Sequence, residues 1–252
     1  MRLRVLDDGR QVPGQGSLAV AAGARRPRKA GGWVLLNPTA TAATNASTPA
    51  GGEARGRRTA AAAHAVVLTD ARLDQVAGLI GLRNGGSIDL YATPSVFENL
   101  SSAMPVLPEL QRHCEVHWHL VPVAGDQHSA DFCVRGHAGL QLTAWDLGPP
   151  PAGCLGPQAG APTGSCIALG LHDTVSGHRA LYLRGRPPAD SGLDAALPAL
   201  DCVLLEPGQA LDARAEAWLL AVPAPRKYLL GLPAGSAARD LPPLAAGGEI
   251  VL

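Results

Sequence analysis

The 252 residues carry 21 cationic and 21 acidic side chains, so the formal net charge at neutral pH is zero. Basic residues cluster only at 25–29 and 55–58, in Gly/Ala/Pro-rich surroundings without interleaved aromatics, which argues for solvated loops and against a nucleic-acid partner. No run approaches the roughly 20 apolar residues of a membrane span, and Asp7 and Asp8 stand where a signal peptide needs its apolar stretch, so a cytoplasmic protein with no membrane span is expected.

With 46% hydrophobic but only 4% aromatic residues, Ala, Leu and Val must supply the core. The length suits one domain over 1–252. The five cysteines are odd in number, widely spaced and show no Cys-x-x-Cys, which fits reduced thiols, with Cys202 in an apolar strand belonging to the core.

In chain order, Ser-Leu-Ala-Val at 17–20 and Trp-Val-Leu-Leu at 33–36 read as two strands of a hairpin joined by a long basic loop. Residues 38–63 read as a flexible connection or a reduced helix. The pattern then alternates: strand 65–69, helix 73–83, strand 88–92, helix 94–102 and a strand over 117–123. Strands at 132–135 and 139–145, a Pro/Gly loop at 148–164, and strands at 166–172 and 179–184 follow. A helix near 192–199, strand 201–205, helix 211–221 and strand 226–231 close the list. Strands punctuated by helices, with hairpins between, point to an α/β sandwich.

The most telling stretch is Ala65-Val66-Val67-Leu68-Thr69-Asp70-Ala71-Arg72-Leu73-Asp74-Gln75, a buried strand turning into an amphipathic helix. Polar groups thus gather at the carboxyl end of a strand, where open α/β sheets carry their chemistry. Leu68 to Asp74, with Gly78 to Gly85 and Leu90 to Leu100, resembles the corresponding segments of the pyrroloquinoline quinone (PQQ) biosynthesis protein B family of the metallo-β-lactamase superfamily. Ile167 to Leu171, Asp173-Thr174, Leu181-Tyr182, Asp201 to Gly208 and Gly248 to Leu252 fall in the order that family would give.

The resemblance implies a metallo-β-lactamase-like αββα sandwich, of class α/β, trimmed at its N-terminal part. It also implies work on, or carriage of, a PQQ precursor or PQQ itself, alongside other PQQ-biosynthesis proteins. In that family an oxidation or hydroxylation of the precursor has been proposed, as has transport towards the periplasm. Carried over by position, the resemblance gives Asp70 and Asp74 as catalytic residues, with Asp70, Asp74 and Glu206 as ligands for iron or zinc. Arg72 and Arg83 become the pair that holds an anionic quinone, because guanidinium forks match carboxylates and stack on planar rings.

The chain departs from the family at Arg72 and Gln75 within the loop, and at Lys227 to Gly235, where a histidine and asparagines would stand. The family's glycine-rich loop and zinc-binding cysteines have no counterpart before Ser17. Two readings of the loop follow from its residues. In one, Asp70, Arg72 and Asp74 form an ion cluster in the place of the metal; in the other, Asp70 caps the helix and Asp74 is solvated in its first turn. His113, Cys114, His117 and His119 form a second polar group, read either as a metal site on one strand face or as surface histidines.

Overall fold

The computed structural model describes residues 1–8, 16–23, 32–47, 64–83, 86–149, 160–185, 187–188, 192–207, 213–231, 241 and 244–252. Two sheets face each other. The first draws on β1 (Arg2–Asp7), β2 (Ser17–Ala21), β3 (Val34–Leu36), β4 (His64–Val67), β5 (Ile88–Ala92) and β6 (Val116–Leu120). The second is built from β7 (Ser129–Cys133), β8 (Leu140–Asp146), β9 (Ile167–Asp173), β10 (Arg179–Arg184), β11 (Cys202–Glu206) and β12 (Arg226–Leu229). The final strand, β13 (Glu249–Val251), returns to the first sheet, giving the orders β13-β1-β2-β3-β4-β5-β6 and β12-β11-β10-β9-β8-β7. Pairing is parallel from β3 through β6 and from β10 through β12. The remaining neighbours are antiparallel.

Helices α1 (Ala40–Ser47), α2 (Leu73–Leu82), α3 (Pro94–Glu98) and α4 (Val106–Leu110) belong to the first half of the chain, and α5 (Ala213–Ala221) to the second. Alternate residues of each strand serve different layers, as strand geometry requires. Val67, Tyr91, Leu142, Leu169, Tyr182 and Leu204 meet between the sheets. Val66, Leu90, Ala43 and Leu79 pack as a helix-covered layer on the first sheet, and Val203, Leu205, Ala215 and Leu219 do the same on the second. This is the expected αββα arrangement, with an aliphatic core in which Tyr182 is the largest fully buried side chain.

Most expected elements are present within a residue or two. Residues 94–102 form α3 followed by a π-helical turn, Asn99–Ala103, and residues 192–199 form two short 3-10 turns. Residues 48–63 of the expected connection, both basic clusters and Cys154 lie outside the described residues, while 40–47 are helical. Cys114, Cys133, Cys166 and Cys202 are in no disulfide, and Cys202 is wholly buried. Among the described residues no helix is long and apolar enough to cross a membrane.

Candidate functional site

The parallel strands of both sheets end at one rim. β4 runs out through Leu68 and Thr69, and the loop Asp70-Ala71-Arg72 leads into α2, whose Gln75, Val76, Gly78, Leu79 and Leu82 turn inward at helical spacing. Across the interface, β10 and β11 end side by side with Arg184 opposite Glu206. Tyr182, Arg184, Leu204 and Glu206 therefore line one face of neighbouring strands and reach the same rim.

Glu206 is the centre of the cluster. It is fully buried, and its Oε1 accepts hydrogen bonds from Arg184 Nη1 at 2.8 Å and Arg72 Nη1 at 3.4 Å. Its Oε2 accepts from the Tyr182 hydroxyl at 2.8 Å. Burial pushes the Glu206 carboxyl up to about 8, opposed by the attraction of Arg72 and the Tyr182 hydrogen bond. Burial, reinforced by Glu206, also holds the Tyr182 hydroxyl well above its ordinary value.

Asn37, just after β3, ties this group to the loop. Its Nδ2 donates to the Tyr182 hydroxyl at 2.9 Å and to Thr69 Oγ1 at 2.7 Å, and its Oδ1 accepts from the Thr69 amide at 2.9 Å. Asn37 adopts φ of 48°, a left-handed conformation that asparagine tolerates better than most residues.

Arg72 lies between the loop and Glu206. Its Nε donates to Asp74 Oδ1 at 2.9 Å and its Nη2 to Asp74 Oδ2, a two-point fork on one carboxylate. Asp70 Oδ1 accepts from the Arg72 amide at 3.0 Å, whereas Asp70 Oδ2 and both amide atoms of Gln75 are buried without a hydrogen-bond partner. Burial raises the Asp70 carboxyl to about 6, against the pull of Arg72 and of its amide. An ion cluster is present, but it joins Arg72 to Asp74 and Glu206, while Asp70 meets Arg72 at the backbone amide. The alternative of a solvated Asp74 is not what forms, and Arg72, not Asp70, occupies the helix N-cap.

The expected metal set is corrected by the same geometry. Asp74 and Glu206 are both engaged by the Arg72 guanidinium, a permanent cation that cannot ligate a metal. Asp70 Oδ2 and Gln75 Oε1 remain as oxygen donors, fewer than the three protein ligands a catalytic zinc takes. Among the described residues no three His, Cys, Asp or Glu side chains are grouped to hold a metal. Asp70, Asp74 and Glu206 do not fit iron or zinc in this arrangement.

The Arg72–Arg83 pair is also corrected. The two residues cap opposite ends of α2, roughly 16 Å apart at 1.5 Å per residue, and Arg83 is exposed with Nη1 donating to the Ile80 carbonyl at 2.8 Å. The second arginine of the cluster is Arg184. Its signal was available in the sequence, since period-two alternation puts Ala180, Tyr182 and Arg184 on one inward face, where a guanidinium demands a buried partner.

The histidine group does not converge. His113 pairs with Glu109 at 3.3 Å and His117 with Glu115 at 3.6 Å, both at the surface. His119 bonds Asp89 at 3.1 Å and stacks on Tyr91 at 4.4 Å.

A β-lactamase superfamily domain model matches residues 32–230. The chain belongs to the β-lactamase superfamily. Within that superfamily it is PqqB-like: it is 37% identical over 147 residues to coenzyme PQQ synthesis protein B of Cupriavidus necator, an alignment covering 56% of this chain and 46% of the relative. The Methylococcus capsulatus protein of the same name is 28% identical over 198 residues, covering 76% and 60%. The chain thus spans about half the length of the curated relatives it matches. Among solved structures, zinc-bound PqqB from Methylobacterium extorquens superposes with a TM-score of 0.69 at 18% identity, covering 100% of both chains. A diphosphatase of the PhnP family gives 0.61 at 17% identity, over 99% and 97% of the two chains. These superpositions show the fold of this superfamily member.

Proposed function

We propose that this superfamily member acts in biosynthesis of the cofactor PQQ, in the cytoplasm, working on or carrying a PQQ precursor alongside other proteins of that pathway. The observation that carries this reading is the 37% identity to the Cupriavidus necator PQQ synthesis protein. The ligand site is the rim formed by Asp70, Arg72, Asp74 and Glu206. Arg72 supplies a fixed positive charge to an anionic ligand. Asp70, raised to about 6 and with one oxygen unpartnered, is the group suited to exchange a proton with it near neutrality.

Expression of this chain in a Cupriavidus necator strain lacking its own PQQ synthesis protein B is expected to restore PQQ, read by mass spectrometry of the culture. PQQ absent while the strain's own protein restores it would remove the reading.

The second reading is a non-catalytic binding or transport protein for PQQ or its precursor. The guanidinium held between Asp74 and Glu206, a permanent cation that cannot ligate a metal, favours it. Calorimetric titration with PQQ is expected to give saturable heat that Arg72→Ala abolishes. Turnover of a precursor by the purified protein would instead return the enzymatic reading.

A further inference from the structure

Within the rim, the partners of Arg72 are unequal. Glu206 is wholly enclosed and held independently of Arg72 by Arg184 at 2.8 Å and Tyr182 at 2.8 Å. Asp74 is the more accessible, with 16% of its side chain exposed against 7% for Arg72 and none for Glu206. Asp74 nevertheless occupies both arms of the Arg72 fork, the geometry in which a guanidinium recognises a carboxylate bidentately. Two residues away in the sequence, Arg72 makes no side-chain cap to α2.

We propose that the Arg72 fork is a binding site for a ligand carboxylate, and that Asp74 is a tethered placeholder which such a ligand displaces. Glu206 keeps the guanidinium in position when Asp74 leaves. The displaced carboxylate has a second home, because Asp74 lies in the first turn of α2, where backbone N–H groups favour negative charge. Gln75, in the first turn of α2 and buried with both amide atoms unpartnered, and Asp70 Oδ2 in the preceding loop offer hydrogen bonds that the folded chain alone leaves unmade. The ligand class is a planar or compact carboxylate, preferably one with a second polar group next to the first. The inference rests on reading this rim as the ligand site. It reverses the sense of Asp74 as a residue needed for function: a tethered competitor lowers affinity by its effective concentration, and removing it raises affinity.

Phthalate, an aromatic dicarboxylate unrelated to the pathway, separates this inference from the PQQ reading. Calorimetric titrations of the whole chain are compared with those of Asp74→Asn, Asp74→Ser, Arg72→Lys and Arg72→Ala, each checked for folding by circular dichroism. The expected result is at least tenfold tighter phthalate binding in a folded Asp74 variant than in the wild type, weaker binding in Arg72→Lys, and none in Arg72→Ala. Binding that is equal or weaker in the Asp74 variants, or no binding in any of them, overturns the proposal whether or not the chain restores PQQ in cells.

Discussion

Arg72 is placed where its loss unbalances two acids differently. Glu206 retains Arg184 and Tyr182, and Asp74 can turn to solvent, so Arg72→Ala costs less than the 3–5 kcal/mol of an ordinary broken buried pair, about 2 kcal/mol by urea denaturation. Asp70 produces a pH dependence of a definite sign. Its folded-state value near 6 lies above the ordinary 3.8, so between those values the folded protein binds the proton more tightly than the unfolded chain. Its contribution is fully present at low pH and is lost as the pH rises through 6, by about 3 kcal/mol in all. Asp70→Asn, which removes this titration, is therefore expected to make stability fall less steeply between pH 4 and 7, leaving the decline that the raised Glu206 carboxyl contributes, and to exceed the wild type in melting temperature at pH 7. At this scale the sequence yielded the loop, because strand, turn and carboxylates adjoin one another. The resemblance also brought Glu206, 134 positions away, to this site, but as a metal ligand; its pairing with Arg72 depends on packing across the sheets and was not legible.

Element by element, α2 sits closer to its neighbour than a helix with ordinary side chains allows. A Cβ at Gly78 would lie 1.5 Å from the carbonyl oxygen of Pro38, and one at Gly81 would lie 2.7 Å from the Cβ of Ala43. Glycine inside a helix costs about 1 kcal/mol relative to alanine, yet here alanine cannot enter unless backbone moves. Gly78→Ala is expected to lower stability by about 3 kcal/mol, whereas Gly81→Ala, which meets a side-chain methyl, should cost about 1 kcal/mol, both read from thermal melts. Because α2 presents Arg72 and Asp74, the first variant should also disturb the rim. Strong apolar periodicity made α2, β4, β5 and β9 legible in the sequence. The helix expected near 192–199 became 3-10 turns because Pro198 lacks the N–H that a continuous ladder needs. The short α4 and the strands β1 and β13 follow from tertiary pairing more than from local pattern.

For the whole molecule, the chain Asn37–Tyr182–Glu206 is a hydrogen-bonded clasp from one sheet to the other at the rim. Tyr182→Phe leaves the aromatic ring in the core but opens the clasp and deprives Glu206 of a donor, with an expected loss of about 2 kcal/mol and little change in far-ultraviolet circular dichroism. The layered architecture was legible as alternating strands and helices. The clasp was not, because it depends on which strand ends face one another.

The returning strand β13 has its own consequence. It pairs Val251, Ile250 and Glu249 with Arg2, Leu3 and Arg4, so residues near opposite ends of the sequence share one ladder. A nascent chain emerging from the ribosome can assemble the helix-covered middle of the first sheet early, but this flank stays open until residues 249–251 have been made. Pairings that span nearly the full sequence close slowly. During that interval β1 offers an unpaired edge to other nascent chains, so slowing synthesis between β12 and β13 should lower the soluble yield more than slowing it before β1 is complete.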